Sequence, residues 1–286
     1  MAYQDRILAC NNGSRENYLP FFGRGQQLGW IRKDRLERLS GFPDIFVVGG
    51  QQVDLHAALF DYDSATAAVD YALRVMADEG LIQGWRDERY AVAERFSDPA
   101  VFSIERAGCP FLGIRSWGFH LNGYVRKPDG LYLWIAQRAH DKPSYPGLLD
   151  NTVAGGHPEG LTLAQNLIKE CAEEASIPAH LARQARAVGA ISYLYESPQG
   201  LKPDQMFCYD LELDESFTPI PADGEVAGFY LMPAQEVMEI VRDTDRFKFN
   251  CAPVLIDFFI RHGLIDPDRE PDYVGLCEML HGAPPV

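Results

Sequence analysis

Three glutamates occupy the last turns of one predicted helix. Apolar residues recur at spacings of three and four over Leu163–Ala175, which predicts an amphipathic helix. Glu170, Glu173 and Glu174 fall together on its other side. Each like-charged pair costs roughly 0.2–0.5 kcal/mol, and an anion near a helix C-terminus costs about 0.3–1 kcal/mol more. Because this placement is unfavourable for stability, it indicates either a solvated acidic face or a site for cations.

A glycine-rich loop precedes that helix. Residues 155–162 read GGHPEGLT, in which the glycines and the proline disfavour regular structure, and Thr162 is a suitable N-cap for the helix. A hard divalent cation takes several oxygen ligands, and a glycine carbonyl can add one to the carboxylates. Loop and helix together therefore favour a metal site.

This arrangement resembles the Nudix box, whose pattern is Gly, five residues, Glu, seven residues, and then Arg-Glu-apolar-any-Glu-Glu-any-Gly-apolar. With Gly155 as the first position, Glu170, Glu173 and Glu174 stand where the family carries its metal-binding glutamates. The resemblance implies that Glu170 and Glu174 bind the metal together with the carbonyl of Gly155 or Gly156. It implies that Glu173 is either a further ligand or the group that orients water.

Three box positions depart from the family pattern. Leu161 replaces the first Glu, Lys169 replaces Arg, and Ser176 replaces the late Gly. The first two family residues pair and brace the loop against the helix. We therefore expect the brace to be lost and the metal ligands to be kept.

Nearly the whole chain, from about residue 15 to about residue 275, resembles one branch of the family. This branch has an extra N-terminal domain of the DUF4743 type and is similar to plant Nudix hydrolases and to the Nudix half of fungal thiamine pyrophosphokinase fusions. The stretches that carry the resemblance are 104–114, 120–125, 134–138, 145–151 and 223–226. The resemblance implies a Nudix fold, an α/β/α sandwich on a mixed sheet, preceded by a small α+β domain. We place the two domains at residues 1–115 and 116–286.

The resemblance also implies an activity. Nudix enzymes hydrolyse a diphosphate linked to another group, and this branch is associated with thiamine diphosphate and its oxidised or oxy analogues, which it converts to the monophosphate. The implied cofactor is Mg²⁺ or Mn²⁺. Two alternatives stay open: hydrolysis of a nucleoside diphosphate derivative such as ADP-ribose or NADH, and a catalytically silent diphosphate-binding regulatory module.

Two further residues are catalytic candidates. Glu225 lies in the sequence Asp-Gly-Glu-Val, where many Nudix enzymes keep a late glutamate as base or ligand, although a polar hairpin loop is the alternative. Lys169 either contacts a phosphate or shields the neighbouring carboxylates, and we favour shielding.

The substrate-binding candidates are basic or aromatic. Arg138, Lys142 and Tyr145 precede the box and could form the basic, aromatic edge of a pocket, although a residue of each type at such a place is more often simply on the surface. His120 is a lone histidine, for which a hydrogen-bonded structural role is the alternative. A thiamine-type ring needs an aromatic slot. Its candidates are Trp117, Phe119, Tyr193 and Tyr195.

Composition limits the partners. The chain has 286 residues, a net charge of −15 and a sequence pI near 4.8, which argues against nucleic acid and anionic membranes as partners. We expect a small diphosphate substrate and a possible homodimer. No stretch is typical of a signal peptide or a membrane span, so we expect a cytoplasmic protein.

Local patterns predict the elements around the box. Alternating residues indicate strands over 119–125 and 131–136, joined at the turn Pro128–Gly130. Strands are also expected over 190–195 and 205–213, with later helices from Pro233 and from Ala252. Near the N-terminus we expect a loop over 18–22 and a helix capped by Ser64.

Overall fold

The computed structural model describes residues 2–142 and 144–282. Its strands are β1 (Tyr18–Gly23), β2 (Gln26–Arg32), β3 (Phe46–Val48), β4 (Val53–Leu55), β5 (Arg89–Val92), β6 (Phe102–Glu105), β7 (Trp117–Lys127), β8 (Gly130–Arg138), β9 (Leu149–Asp150), β10 (Val153–Gly156), β11 (Arg186–Ser192), β12 (Tyr195–Ser197), β13 (Gly200–Lys202), β14 (Gln205–Glu212) and β15 (Val226–Pro233). Its α-helices are α1 (Tyr3–Cys10), α2 (Leu36–Ser40), α3 (Tyr62–Asp78), α4 (Cys109–Leu112), α5 (Leu163–Ala175), α6 (Ala179–Ala182), α7 (Ala234–Asp243), α8 (Cys251–Arg261) and α9 (Tyr273–His281).

The N-terminal unit combines two small sheets with helix α3. One sheet has the strand order β2-β1-β4-β3, and β5 pairs with β6 in a separate antiparallel ribbon. Phe21, Leu73 and Phe102 are fully buried members of a core that joins the sheet, the helix and the ribbon. This is the small α+β unit that the sequence predicted.

A mixed sheet forms the centre of the second unit. Its strand order is β11-β14-β7-β8-β15, with β10 added to β7 and β9 added to β8. Strands β14 and β7 are parallel, whereas β7 and β8 form an antiparallel hairpin in which Lys127 pairs with Gly130. The turn at Pro128–Gly130 is therefore confirmed.

Helices cover both faces of this sheet. Phe119 and Leu121 of β7 share a core with Leu167 and Cys171 of α5. The other face packs against α7, α8, α9 and the N-terminal helix α1. Because side chains alternate along a strand, His120 lies on the face opposite α5. The architecture is the expected α/β/α sandwich, and residues 283–286 of the predicted second domain lie outside the described residues.

Three local predictions were wrong. Residues 18–22 form strand β1, because they pair with β2 along their whole length. Pro20, which has no N–H, is tolerated there because the parallel pairing with β4 involves only Phe21 and Phe22. The cap of α3 is Asp61, whose carboxylate accepts the backbone N–H of Ser64 over 2.8 Å. Gly155 and Gly156 belong to β10, where they pair with β7.

Helix α1 contacts the second unit. It packs against α7, α8 and α9, whereas the core of the N-terminal unit begins at Phe21. The domain boundary at residue 115 stays a prediction.

Candidate functional site

The predicted metal-binding segment runs from β10 through a short loop into α5. Thr162 caps the helix as expected: its hydroxyl oxygen accepts the N–H of Gln165 over 3.2 Å. The side chain of Gln165 accepts the N–H of Thr162 over 2.8 Å, which completes a capping box. The first turn of α5 is thereby defined at Thr162.

Two of the glutamates lie against the backbone of β10. A β-carbon on Gly155 would lie 2.9 Å from Cγ of Glu170, so a glycine is needed for this side chain to pack there. Glu174 is 9% exposed, and its Oε2 accepts the backbone N–H of Ala154 over 3.1 Å. Helix α5 therefore aims two carboxylates, one turn apart, at the strand that carries the glycine carbonyls.

Burial dominates the electrostatics of these two carboxylates. It raises the pKa of Glu174 to about 8, despite the hydrogen bond from Ala154. Burial also raises the pKa of Glu170, although Lys169 offsets part of the effect. Both groups would be ionised more readily with a cation beside them.

Glu173 points away from this pair. It is half exposed and accepts a hydrogen bond from Lys169 Nζ over 2.6 Å, while the same ammonium lies 3.0 Å from Glu170. Of the three carboxylates expected to converge, only Glu170 and Glu174 lie against β10. Lys169 holds Glu173 on the exposed side of α5. This contact fits the shielding role for Lys169.

A loop before β15 brings two more carboxylates to Glu174. One carboxylate oxygen each from Glu174, Asp223 and Glu225 lie within 4.8 Å of one another. Sequence reasoning selected Glu225 and missed Asp223, although both belong to the same four-residue motif. Lys142 forms an ion pair with Glu225 and so also lies beside this group.

The ion pair sets the charge of Glu225. Burial raises the pKa of its carboxyl, but Lys142, together with Arg86 and Arg106, more than offsets this and holds the pKa below its usual value. Glu225 is therefore an ionised carboxylate at neutral pH.

These residues fit a hard divalent cation. The available donors are carboxylate oxygens on α5 and before β15, with backbone carbonyls on β10, and Mg²⁺ and Mn²⁺ prefer such oxygen ligands. Glu170, Glu174, Asp223 and Glu225 are the side chains that could hold the ion.

Asn166 replaces the brace that the box departures remove. Its side-chain amide donates to the carbonyl of Gly156 over 2.7 Å and so ties α5 to the end of β10. Sequence reasoning missed this residue, because an asparagine in a helix has no distinctive spacing. The third departure also has a local explanation: Ser176 adopts φ +52° at the helix C-cap, and its hydroxyl donates to Ile220 O over 2.9 Å.

Arg138 and His120 belong to one buried polar network around Asp150. Arg138 lies 3.1 Å from a carboxylate oxygen of Asp150 and also donates to the carbonyl of Tyr145 over 3.1 Å. His120 is hydrogen-bonded to Asn151 over 2.6 Å. Burial, with Lys248 nearby, lowers the pKa of His120 to about 4, so its ring is neutral.

A second group of potential ligands falls in the same network. His120, Asp150 and Cys251 could each offer one atom within 4.8 Å of the others. Arg138 and Lys248 already neutralise Asp150, and Cys251 donates its thiol to the same carboxylate over 2.8 Å. These contacts indicate a hydrogen-bonded structural group.

Tyr145 contributes to an aromatic group. Its ring centroid lies 5.5 Å from that of Phe249, on which Tyr195 stacks at 4.2 Å. Of the other aromatic candidates, Phe119 and Tyr193 are buried, and Trp117 donates its indole N–H to Gln205 over 3.0 Å. Tyr195 is half-buried, so its ring is more accessible than those of the other three candidates.

Within residues 2–142 and 144–282, no helix combines the length and the apolar character needed to cross a bilayer.

Comparisons with known proteins found one matching family model and similar plant proteins. The model of one family, described as a domain of unknown function (DUF4743), matches residues 2–116. "Nudix hydrolase 24, chloroplastic" of Arabidopsis thaliana is 41% identical over 282 residues, which cover 97% of this chain and 77% of that protein. "Nudix hydrolase 20, chloroplastic" of the same plant is 42% identical over 287 residues, covering 96% and 76%.

Among solved structures, DR0079 from Deinococcus radiodurans is similar, with a TM-score of 0.45 and 23% identity over 59% of this chain and 98% of that one. Both plant names include the word chloroplastic, and a cytoplasmic location for the present chain stays a prediction. The similarity to the two plant proteins extends over nearly the whole of this chain. This chain therefore belongs to the Nudix hydrolase family, whose members hydrolyse diphosphate linkages.

Proposed function

We propose that this enzyme is a Mg²⁺- or Mn²⁺-dependent hydrolase of thiamine diphosphate or its oxidised or oxy analogues, which it converts to the monophosphate. The observation that carries the metal dependence is the cluster of Glu174, Asp223 and Glu225, whose oxygens lie within 4.8 Å of one another. Glu170, packed against Gly155, extends this set toward β10. The choice of thiamine compounds rests on the resemblance to the branch with the extra N-terminal domain.

The roles follow from the contacts. Glu170 and Glu174 would hold the cation with the carbonyl of Gly155 or with the remaining lone pair of Gly156, whose carbonyl already accepts the Asn166 amide. A bound divalent cation neutralises diphosphate charge and acidifies water. Glu225 is ionised at neutral pH and is our candidate for accepting a proton from the attacking water, with Lys142 fixing its position. Glu173 is the alternative water-orienting group.

The loop between β8 and β9 connects the carboxylates to the aromatic group. Lys142 reaches Glu225 at one end, and Tyr145 contacts Phe249 at the other. Arg138 holds this loop through the carbonyls of Ser144 and Tyr145. We propose that Tyr145 and Tyr195 face the ring system of the substrate, and that Arg138 positions Tyr145 and does not itself contact phosphate.

A product screen tests this proposal. Purified enzyme is incubated with Mg²⁺ or Mn²⁺ and with thiamine diphosphate, its oxo and oxy forms, ADP-ribose or NADH, and the products are separated by chromatography. We expect the monophosphate of a thiamine compound as the main product. If ADP-ribose or NADH alone is cleaved, the substrate is a nucleoside diphosphate derivative and not a thiamine compound. Tight binding without cleavage would favour a silent regulatory module.

A matched pair of variants tests the metal assignment. Glu174→Gln removes one charge from a ligand, and Glu212→Gln removes one from an exposed residue of β14. We expect the first to lower kcat at least about 100-fold, the scale seen when a key electrostatic group is lost, and the second to have little effect. Unchanged turnover in Glu174→Gln would refute the role of this carboxylate.

A further inference from the structure

The N-terminal unit forms one wall of the loop between β10 and α5. The backbone N–H of Glu159 donates to the carbonyl of Arg89 over 2.8 Å, and the hydroxyl of Tyr62 donates to the Glu159 carboxylate. Tyr90 of β5 approaches so closely that its hydroxyl occupies the place of a β-carbon on Gly156. Strand β5 therefore lies directly against the glycines next to the candidate metal ligands.

Arg106 is a cationic residue of the N-terminal unit that lies beside Tyr90. It follows β6, and its guanidinium carbon lies 5.9 Å from the centroid of the Tyr90 ring. Its backbone N–H donates to the carbonyl of Glu88 over 2.9 Å, and its side chain pairs with the Glu88 carboxylate over 2.7 Å. The side chain is nevertheless 46% exposed, so solvent and ligands can reach it.

Tyr90 connects this ion pair to the carboxylate site. Its hydroxyl contacts Gly156 at the end of β10, and the Arg106 guanidinium lies beside its ring. The pair Arg106–Glu88 is therefore separated by one side chain from the strand against which Glu170 and Glu174 pack. A diphosphate approaching a chain of net charge −15 needs nearby cations to oppose the repulsion.

We propose that Arg106, supplied by the N-terminal unit, binds a phosphate of the diphosphate substrate, and that Glu88 holds its guanidinium in place until substrate displaces it. A guanidinium matches phosphate oxygens with two parallel N–H donors, and it stays protonated at every relevant pH. The inference rests on the proposed function for the identity of the substrate. It assigns the N-terminal unit a part in substrate recognition.

The test uses the whole chain and imidodiphosphate. In this diphosphate analogue an NH group replaces the bridging oxygen, which makes the bridge resistant to hydrolysis. Calorimetry in Mg²⁺ measures its binding to wild type, Arg106→Gln, Arg106→Lys and Glu88→Gln. The matched control is Arg74→Gln, because Arg74 also pairs with one carboxylate, Asp70, at 2.8 Å and lies 4.7 Å from one aromatic centroid, that of Trp85. Steady-state kinetics on the cleaved substrate gives kcat and KM separately.

We expect Arg106→Gln to weaken imidodiphosphate binding about 10-fold or more and to raise KM by a similar factor, with a smaller change in kcat, since a charge-assisted contact is lost. Arg106→Lys should restore part of the affinity. Glu88→Gln should tighten binding by about 2- to 5-fold because it removes the competing carboxylate. Arg74→Gln should bind like wild type.

Two results would overturn the inference: wild-type affinity in Arg106→Gln, or equal weakening in Arg106→Gln and Glu88→Gln, which a purely structural ion pair predicts. The proposed function fails separately, when wild type cleaves no thiamine compound. The calorimetric comparison still decides the role of Arg106 in that event, because it requires no turnover.

Discussion

Tyr90 and Gly156 come from different units of the chain and are in direct contact: the Tyr90 hydroxyl fills the space that any side chain at position 156 would require. Tyr90 is 5% exposed and belongs to the core of the N-terminal unit. Gly156 ends β10 and offers its carbonyl to Asn166. The position of the end of β10, beside the candidate metal ligands, is therefore set partly by the core of the N-terminal unit.

Gly156→Ala should destabilise the protein by about 1–3 kcal/mol, because the added methyl group overpacks the contact with Tyr90. Urea denaturation measures the change in the free energy of unfolding. The control is Gly228→Ala on β15, where a β-carbon would have only Tyr230 Oη, at 4.0 Å, within contact range, and where we expect a loss below about 0.5 kcal/mol. Equal effects in the two variants would argue against the contact.

Mg²⁺ should raise the melting temperature of the wild-type protein, because an ion that binds only the folded state stabilises it by mass action. The increase should be reversed by EDTA and should be much smaller in Glu174→Gln. Glu173→Gln should keep most of it, since Glu173 is half exposed and already paired with Lys169. A full Mg²⁺ effect in Glu174→Gln would exclude this carboxylate as a ligand.

Because the ring of His120 is buried, we expect the free energy of unfolding to fall in mild acid. Its pKa is about 4 in the folded protein, below the value of 6.5 for an exposed histidine, so the unfolded chain binds the extra proton first. The stabilisation is fully present above pH 6.5 and is lost as the pH falls toward 4, by roughly 3 kcal/mol in all. Lys248 favours the neutral ring and Asp150 opposes it.

The measurement is the free energy of unfolding between pH 7 and pH 4.5 for wild type and for His120→Gln. The variant should lose distinctly less stability over this range, because the glutamine takes up no proton. Parallel pH profiles would show that other groups cause the acid sensitivity.

Arg138→Met should destabilise the protein by about 3 kcal/mol, because Asp150 is 5% exposed and would keep only Lys248, at 3.4 Å, as a cationic partner. The control is Arg126→Met, since Arg126 is 58% exposed and lies 3.8 Å from an exposed Glu212. Denaturation should show a change below about 1 kcal/mol for this surface pair. A neutral effect of Arg138→Met would contradict the structural role and reopen a direct role in substrate binding.

The box helix shows how far local patterns reach. Thr162, the apolar stripe of α5 and its end at Ser176 all follow from residue types and spacing, because capping and helix periodicity are local properties. The different environments of the three glutamates do not follow. Glu174 is buried and Glu173 is exposed although they are adjacent in the chain, and the packing of α5 against β10 makes that difference.

The sequence by itself determined the family, the fold, the strands of the central hairpin and a set of carboxylates suited to a divalent cation. Only the tertiary structure decided that Asp223 joins Glu174, that Arg138 and His120 belong to a buried network around Asp150, and that Tyr90 of the N-terminal unit touches Gly156. The physical reason is distance along the chain. Contacts between residues tens of positions apart depend on how sheets and helices pack. The spacing of residues within one element carries no information on that packing.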